Sequence, residues 1–280
     1  MSMKIMTIIL FAVSIYTLQA QDGTKEYVTH TFDGTRIING HSVETLGAGD
    51  LEFLISHRFG RLNGGLYEFL GLDHASIRFG FEYGITDRLN VGVGRSSYGK
   101  HFDAFAKAKL LQQRDGMPVT VTFLTSAAVN TLKTSAADLP LPLQSRFTYA
   151  NQLLIARKFG EGFSLQLSPT HLHYNLVDNR DQPNDWFAVG AGARIQLTRM
   201  LGISLEYYHL LPGYFPADRK SPLGIGFDIR TAGHVFQLHF TNAAAMIEKG
   251  FIGETTGDWL KGDIQFGFNI SRVFRLGNPR

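Results

Sequence analysis

The residues of this chain best suited to chemistry are its ten histidines. His171 and His173 are separated by one residue, a spacing that places both rings on one face of a strand, where imidazoles can bind a transition metal. The pair is expected at the edge of a loop without a carboxylate pair nearby, and His234 and His239 fall on opposite faces. Cys-x-x-Cys-His and His-Glu-x-x-His motifs are absent. The pattern favours solvated histidines over a metal site, so no metal and no cofactor are predicted.

A second set of chemically active residues consists of charged side chains at alternate positions within apolar runs. They share one face of their predicted strands and include both signs of charge. The residues singled out are Arg58, Arg78, Glu82, Lys107, Lys109, Arg194, Glu206, Asp228 and Arg230. Further acids on the same face are expected at Asp50, Glu52, Asp103 and Asp263. The strands that carry these charged residues determine which face of the sheet they occupy and therefore what they can contact.

The clearest of these elements is the stretch from Ser76 to Gly94. Aromatic and aliphatic residues alternate strictly with polar residues or glycine on both sides of the short Thr86-Asp87 connection. Side chains alternate across a strand, so this stretch is predicted to be an antiparallel hairpin with one apolar face. The same alternation continues to Phe274 and predicts about twelve strands, joined alternately by long and short connections.

Composition supports a single exported β domain. The chain has no cysteine, 30 glycines and a 12% aromatic share, and its formal charge of +3 is too small and scattered to indicate nucleic-acid binding. Residues 1–20 have a weakly basic start and a short apolar run, as in a cleaved signal peptide. Residues 21–48 are polar and are interpreted as an extra strand, a periplasmic tail or a segment inside a lumen. Residues 49–280 are predicted to form the barrel.

An export signal, an even number of strands and charges within the strands together favour an all-β, antiparallel, up-and-down transmembrane barrel in the outer membrane of a Gram-negative bacterium. A secreted lipocalin-like barrel or a sandwich is the alternative. Aromatic girdles are expected at both membrane edges. Phe59, Phe159, Phe163 and Phe274 are assigned to the short-turn side, and Tyr98, Tyr149, Trp186, Tyr207 and Trp259 to the long-loop side.

Several segments resemble an uncharacterised family of Gram-negative outer-membrane β-barrel proteins, known only as a domain of unknown function. They are Thr35 to Glu44, His57 to Gly60, Gly71 to Ala75 and Tyr83 to Asp87, and the resemblance extends from Phe32 to Phe274. The pattern from Phe266 to Phe274 also resembles the C-terminal signal that barrel-insertion machinery reads, although six residues follow its last aromatic residue. The resemblance implies a fold and a location, and it implies no reaction or substrate.

Enzymatic activity is not predicted. Outer-membrane phospholipases use a Ser-His-Asn arrangement on the lipid-facing wall, but Asn151 has no His-Ser partner beside it in sequence, and Gly-x-Ser-x-Gly is absent. The balanced charges argue for a cross-linked, partly filled lumen as readily as for an ion-selective channel. Inward glycines would leave room for a solute path or an N-terminal plug, or would permit strand curvature.

The expected function is a monomeric, narrow channel or binding barrel for a small solute, surrounded by outer-membrane lipid. The alternative is a closed structural barrel that holds a protein partner through its extracellular loops, especially Asn242 to Gly262, or through its N-terminal segment.

Overall fold

A computed structural model describes residues 26–133, 142–177, 179 and 181–276. Twelve antiparallel strands close into one barrel, in which each strand pairs with its neighbours in sequence and β1 pairs with β12. The strands are β1 (Asp50–Arg61), β2 (Ala75–Thr86), β3 (Leu89–Ser96), β4 (His101–Leu111), β5 (Thr120–Asn130), β6 (Phe147–Phe159), β7 (Phe163–Tyr174), β8 (Asp185–Gln196), β9 (Leu201–Leu210), β10 (Leu223–Arg230), β11 (His234–Thr241) and β12 (Gln265–Arg275).

Few helical elements accompany the strands. One short α-helix, α1 (Glu248–Gly253), lies in the connection between β11 and β12, and 3-10 turns occur at Leu62–Gly71, Tyr98–Lys100, Leu143–Arg146 and Trp259–Lys261. No helix among the described residues is long and apolar enough to cross a membrane. The signal peptide expected over residues 1–20 lies outside the described residues.

The two-residue alternation of the sequence becomes the two faces of the barrel wall. Along β8, residues at even positions from Trp186 to Arg194 are buried in the interior, whereas Phe187 and Val189 are exposed on the outside. The opening hairpin follows the same rule, with Gly80 opposite Gly94 and Phe81 opposite Val93 in register. The apolar band therefore faces outward, and the polar and small residues face inward.

The two ends of the barrel differ. At the turn end, β2–β3, β6–β7 and β10–β11 are joined by two or three residues, and β1 begins beside the end of β12. At the loop end most connections are longer, but residues 97–100 join β3 to β4 in one short 3-10 turn. The prediction of strictly alternating long and short connections is therefore wrong at this position.

Three residues differ from their predicted surroundings. Phe59 lies at the loop end, because β1 runs away from the turn end and Phe59 pairs with Ala75 at the start of β2. Trp186 faces the interior at 3% exposure and does not belong to an outer girdle. His171 lies within β7 and not at a loop edge, because this strand continues to Tyr174.

Candidate functional site in the barrel lumen

The barrel interior is occupied by the N-terminal segment, residues 26–49. It enters at the turn end, where the Val28 N–H donates to the Gln113 carbonyl at 2.9 Å. It leaves at the same end, where the Ala48 N–H donates to Asp87 Oδ1 and the Gly49 N–H to the Gly84 carbonyl, both at 2.9 Å. Between these points nearly every residue from 31 to 46 is at least partly buried. The segment therefore folds back on itself inside the barrel.

The tip of the segment, residues 35–42, is a tight antiparallel hairpin. The Ile37 N–H donates to the Gly40 carbonyl and the Ser42 N–H to the Thr35 carbonyl, both at 2.9 Å. Gly40 lies so close to the ring of Tyr208 that a side chain there would collide with the phenol oxygen. The tip is thus shaped to fit against the barrel wall.

Glu206 on β9 holds this hairpin through its backbone. Its carboxylate accepts hydrogen bonds from the N–H groups of Ile38 at 3.2 Å, Asn39 at 3.1 Å and Gly40 at 2.8 Å. Successive backbone N–H groups in a turn form a concave binding site for an anion. Here the anion is the Glu206 carboxylate of the barrel wall, and the turn is the tip of the N-terminal segment.

The carbonyl groups of the tip also bind wall side chains. The Gln237 amide donates to the Ile37 carbonyl at 2.9 Å, and the Asn269 amide donates to the Ile38 carbonyl at 2.8 Å. Gln166 binds the returning arm at two points, donating to the His41 carbonyl at 2.8 Å and accepting from the Val43 N–H at 2.9 Å. Inward polar residues of β7, β11 and β12 therefore recognise the backbone of the segment.

Charged wall residues contact the segment as well. Asp33 forms ion pairs with Arg194 and, at 3.4 Å, with Arg230. Arg58 donates to Asn39 Oδ1 at 2.6 Å. Four of the charged residues singled out in the sequence therefore contact the N-terminal segment: Arg58, Arg194, Glu206 and Arg230.

The remaining predicted lumen residues pair mainly with one another. Arg78 pairs with Asp103, and Lys107 Nζ lies 3.3 Å from Glu82 Oε1. Asp228 accepts a hydrogen bond from Gln237 at 2.9 Å, and Lys109 is half-buried near the turn end. Their role in binding or passing a solute stays a prediction. Asp263 was wrongly assigned to the inward face: it precedes β12 at the loop end, where its carboxylate pairs with Arg61 at 3.0 Å.

Two inward glycines accommodate apolar side chains of the segment. A side chain at Gly192 would collide with Ile37 Cδ1, and a Cβ at Gly224 would lie 3.0 Å from Ile38 Cδ1. Ile37 and Ile38 belong to a buried apolar cluster whose other members are Phe32, Val43, Phe105, Leu124, Leu154 and Ala156. Several roles were considered for the inward glycines. At Gly192 and Gly224 the structure shows that they leave room for side chains of the N-terminal segment.

The loop end is filled by the folded loop, residues 242–264, which contains α1. Phe251 and Ile252 are fully buried in an apolar cluster with Leu172, Trp186 and Tyr208. Glu248 at the start of α1 reaches the tip of the N-terminal segment: its Oε1 lies 2.9 Å from Arg36 Nη1 and 3.4 Å from His41 Nε2. The two inserted segments therefore meet inside the barrel. Much of this loop is buried inside the barrel, and its role in binding a protein partner stays a prediction.

Two of the clefts in the described part of the chain lie beside the folded loop. The larger, about 690 Å³, is lined in part by Lys133, Tyr174, Trp186, Arg219 and Lys249. The smaller, about 260 Å³, lies between the folded loop and residues such as Gly60, Tyr98 and Gln265. Both lie at the loop end, so a molecule entering from this side would meet α1 before it met the N-terminal segment.

A separate polar cluster lies on the outer wall. His171 Nε2 is 2.7 Å and His173 Nδ1 is 2.8 Å from Asp185 Oδ1. Asn151 lies 3.4 Å from His171, and Thr125 donates to Asn151 at 2.9 Å. The sequence predicted no carboxylate pair beside these histidines, and the structure places a single carboxylate, that of Asp185, between them. Asp185 is distant in sequence and becomes a neighbour only through the register of β7 and β8.

Comparisons with known proteins agree with this architecture. A family model described as a membrane bound beta barrel domain (DUF5777) matches residues 32–274. The chain belongs to this family. The DUF5777 match begins within the N-terminal segment and therefore includes its tip. The resemblance seen in the sequence is confirmed, and this protein is a β-barrel of the Gram-negative outer membrane. Its turn end is then the periplasmic end and its loop end the extracellular end.

Several solved structures are similar to the chain at low sequence identity. The NanC porin is 6% identical with a TM-score of 0.50, and the alignment covers 80% of this chain and 98% of that one. An outer-membrane channel from Pseudomonas putida F1 is 15% identical with a TM-score of 0.47, covering 83% and 98%. The KdgM porin is 6% identical with a TM-score of 0.48, covering 80% and 98%. No curated protein matches the chain. The likeness to the NanC porin confirms the barrel fold.

Proposed function

We propose that this DUF5777 protein is a channel for small polar solutes that is closed at rest and opens when its N-terminal segment withdraws toward the periplasm. The observation that carries the proposal is the position of residues 31–46, which occupy the interior of a barrel that is closed without them. Every strand already has two paired neighbours. Withdrawal of the segment would therefore break no hydrogen bond of the barrel ladder.

The way the segment is held supports a reversible arrangement. Its tip is bound through polar wall groups such as Glu206, Gln237 and Asn269, which water can also hydrogen-bond. Beside the tip, Arg58 Nε and Nη1 and both ring nitrogens of His239 are buried without a hydrogen-bond partner in the part of the chain that the structure describes. A buried unpaired polar group costs about 1–3 kcal/mol. The closed state therefore leaves some buried polar groups beside the tip without hydrogen bonds.

The wall exposed by withdrawal would be polar and of mixed charge. The pairs Arg78–Asp103 and Lys107–Glu82 do not involve the segment and would remain. Arg58, Arg194 and Arg230 would lose partners, as would Glu206. Such a wall suits small hydrophilic molecules and excludes apolar ones. This role requires no reaction, and we propose that the protein is not an enzyme.

The direct test is ion conductance of the refolded mature protein in planar bilayers, with residues 21–48 present and then deleted. The proposal expects low, intermittent conductance from the full mature chain and larger, steadier conductance after deletion. Equal steady conductance from both forms would show that the segment does not close the barrel. Silence from both would remove the channel function, provided that circular dichroism shows a folded barrel in each.

A reversible cross-link tests the same idea without removing any residue. In the I38C/G224C variant the two Cβ atoms would lie about 3.7 Å apart, close to the distance that a disulfide requires. The chain has no cysteine of its own, so no other disulfide can form within one molecule. Oxidation should abolish channel opening and reduction should restore it in the same preparation. Each single-cysteine variant, oxidised in the same way, should conduct as its reduced form does.

One observation favours the second candidate, a closed barrel that binds a protein partner. Phe32, Ile37, Ile38 and Val43 of the segment are all buried against the wall, and burial of each such side chain contributes about 1.5–3 kcal/mol. This would hold the segment permanently in place. The partner would then bind at the periplasmic mouth, where residues 26–30 are largely exposed. Complete silence of the full mature chain, with conductance that appears only after deletion of residues 21–48, would favour this candidate.

The proposed surroundings of the barrel follow from its outer wall. Outward residues such as Phe81, Val93, Leu167 and Phe227 are exposed and would contact outer-membrane lipid. Barrel-insertion machinery remains the proposed partner during biogenesis, on the basis of the pattern that ends at Phe274.

A further inference from the structure

The outer-wall cluster joins two imidazoles and a carboxylate at the extracellular end of the barrel. His171 and His173 point outward from β7, and Asp185 is the first residue of β8, directly opposite His173 in register. The candidate ligand atoms of these three residues all lie within 4.8 Å of one another. We propose that His171, His173 and Asp185 form a binding site for a divalent transition metal of the Zn²⁺ type, unrelated to the lumen.

The donor set suits this chemistry. Zn²⁺ binds histidine nitrogen and carboxylate oxygen at about 2.0–2.2 Å, and sites with three protein ligands keep a fourth position open. Tetrahedral bonds of this length separate neighbouring donors by about 3.3 Å. Both nitrogens now lie 2.7–2.8 Å from Asp185 Oδ1. Metal binding would lengthen these two separations by about half an ångström and would bring the two nitrogens, which lie within 4.8 Å of each other, to the same spacing.

Neighbouring side chains are placed to orient His171. Asn151 on β6 lies 3.4 Å from His171 Nδ1, the nitrogen that faces away from Asp185, and Thr125 holds the amide from the far side. A rotation of the amide by 180° places its oxygen toward Nδ1, which then donates a proton and leaves Nε2 free to bind metal. Metal-binding histidines commonly donate their second nitrogen to such a group. Asn151 is therefore a positioning residue.

The location of the cluster also favours a ligand. The preceding outward residues of β7 are Phe163, Leu165, Leu167 and Pro169, and polar residues on the lipid-facing wall of a barrel are costly away from the interface. His171 stacks 5.1 Å from Phe187, and the His173 ring lies 6.3 Å from Tyr149. Aromatic rings of this kind mark the membrane interface. A metal ion from the external water would have access to the site.

A plain ion pair explains these residues less well. Exposed ion pairs contribute about 0–1 kcal/mol, and one histidine would suffice for a pair with Asp185. Instead both imidazoles converge on one carboxylate oxygen, and a fourth residue orients one ring. Two imidazole nitrogens and a carboxylate oxygen within 4.8 Å of one another supply the three protein ligands of an open metal site.

The test uses the mature protein in detergent micelles, without a polyhistidine tag. Isothermal titration calorimetry with Zn²⁺ should show one site per barrel, and Co²⁺ should give visible absorption bands typical of four-coordination. H173A and D185N should each lose at least about tenfold in affinity, and N151A about tenfold. H209A is the matched control, because His209 also faces outward near the extracellular end and lies outside the cluster.

The outcomes separate the site from other histidines. Loss of binding in H173A and D185N with full binding in H209A would support the site. Equal Zn²⁺ affinity in all variants, or no binding to the wild-type protein, would overturn it and leave an ion pair only. Circular dichroism of each variant shows whether the barrel has formed. Because the readout is metal binding and not conductance, the result is independent of the channel function.

Discussion

Arg36 and Glu248 join the two inserted segments of the barrel. Their charged atoms lie 2.9 Å apart, both side chains are about 5% exposed, and 212 positions separate them in sequence. Arg36 comes from the periplasmic side and Glu248 from the extracellular loop. This ion pair therefore links the two parts that fill the lumen, and its strength couples the position of one to the position of the other.

Breaking this pair should loosen the closed state. E248Q removes the negative charge beside the buried guanidinium of Arg36, which keeps neutral contacts such as the Asn39 carbonyl and the Phe105 ring, and removing one charge of a buried pair costs about 3–5 kcal/mol. We expect a large increase in the open fraction in planar bilayers from E248Q or from R36M alone. Each single variant should lower the free energy of opening, and the double variant should lower it by less than the sum of the two single changes. Strict additivity would contradict coupling through this pair.

Glu206 should control protection of the tip from protease. E206A removes the acceptor for the N–H groups of Ile38, Asn39 and Gly40. Each unpaired buried group costs about 1–3 kcal/mol, so the tip should leave its place more often. Trypsin should then cleave after Arg36, which is buried in the wild-type protein. The control is E161A in an exposed periplasmic turn, which should stay resistant; resistance in E206A would contradict this role.

The wall could be predicted from the sequence, because a membrane barrel imposes a period of two on each strand. The alternation around Phe81 and Val93 predicts both faces of the opening hairpin, and Arg78, Glu82 and Lys107 are buried, while their role as lumen-lining site residues stays a prediction. Trp186 was misplaced because aromatic residues occur both in girdles and in a filled lumen. Composition does not distinguish these two environments.

The filling of the lumen could not be predicted, because it depends on contacts between residues distant in sequence. Residues 21–48 have no regular period, and their three alternatives differ only in tertiary position. The Glu206 carboxylate recognises backbone N–H groups, which every sequence has, so no residue type marks the partner. The His171–Asp185 contact was missed for a similar reason. The sequence pattern placed His171 at the edge of a loop, so the pairing of this part of β7 with the start of β8 was not expected.

Acid should loosen the attachment of the folded loop at Asp263. The Asp258 N–H and the Asn63 amide donate to its carboxylate and lower its pKa below the ordinary value. A lowered carboxyl pKa contributes stability that is full above about pH 4 and is lost as the pH falls through the folded-state value. In a W186F background, fluorescence of the remaining Trp259 should therefore change below about pH 4. D263N should remove this transition, and an unchanged acid transition in D263N would contradict the assignment.

The fit between Gly192 and Ile37 gives a steric test of closure. A side chain at Gly192 would collide with Ile37 Cδ1, and overpacking of a filled interior costs about 1–3 kcal/mol. G192V should therefore displace the N-terminal segment and increase conductance, while I37A introduced into G192V should restore closure by returning the lost space. The control G162V lies in a periplasmic turn with nothing within 4 Å of the added Cβ and should conduct like the wild-type protein. If G192V conducts no more than G162V, or if I37A increases the conductance of G192V further, Ile37 does not hold the segment at this position.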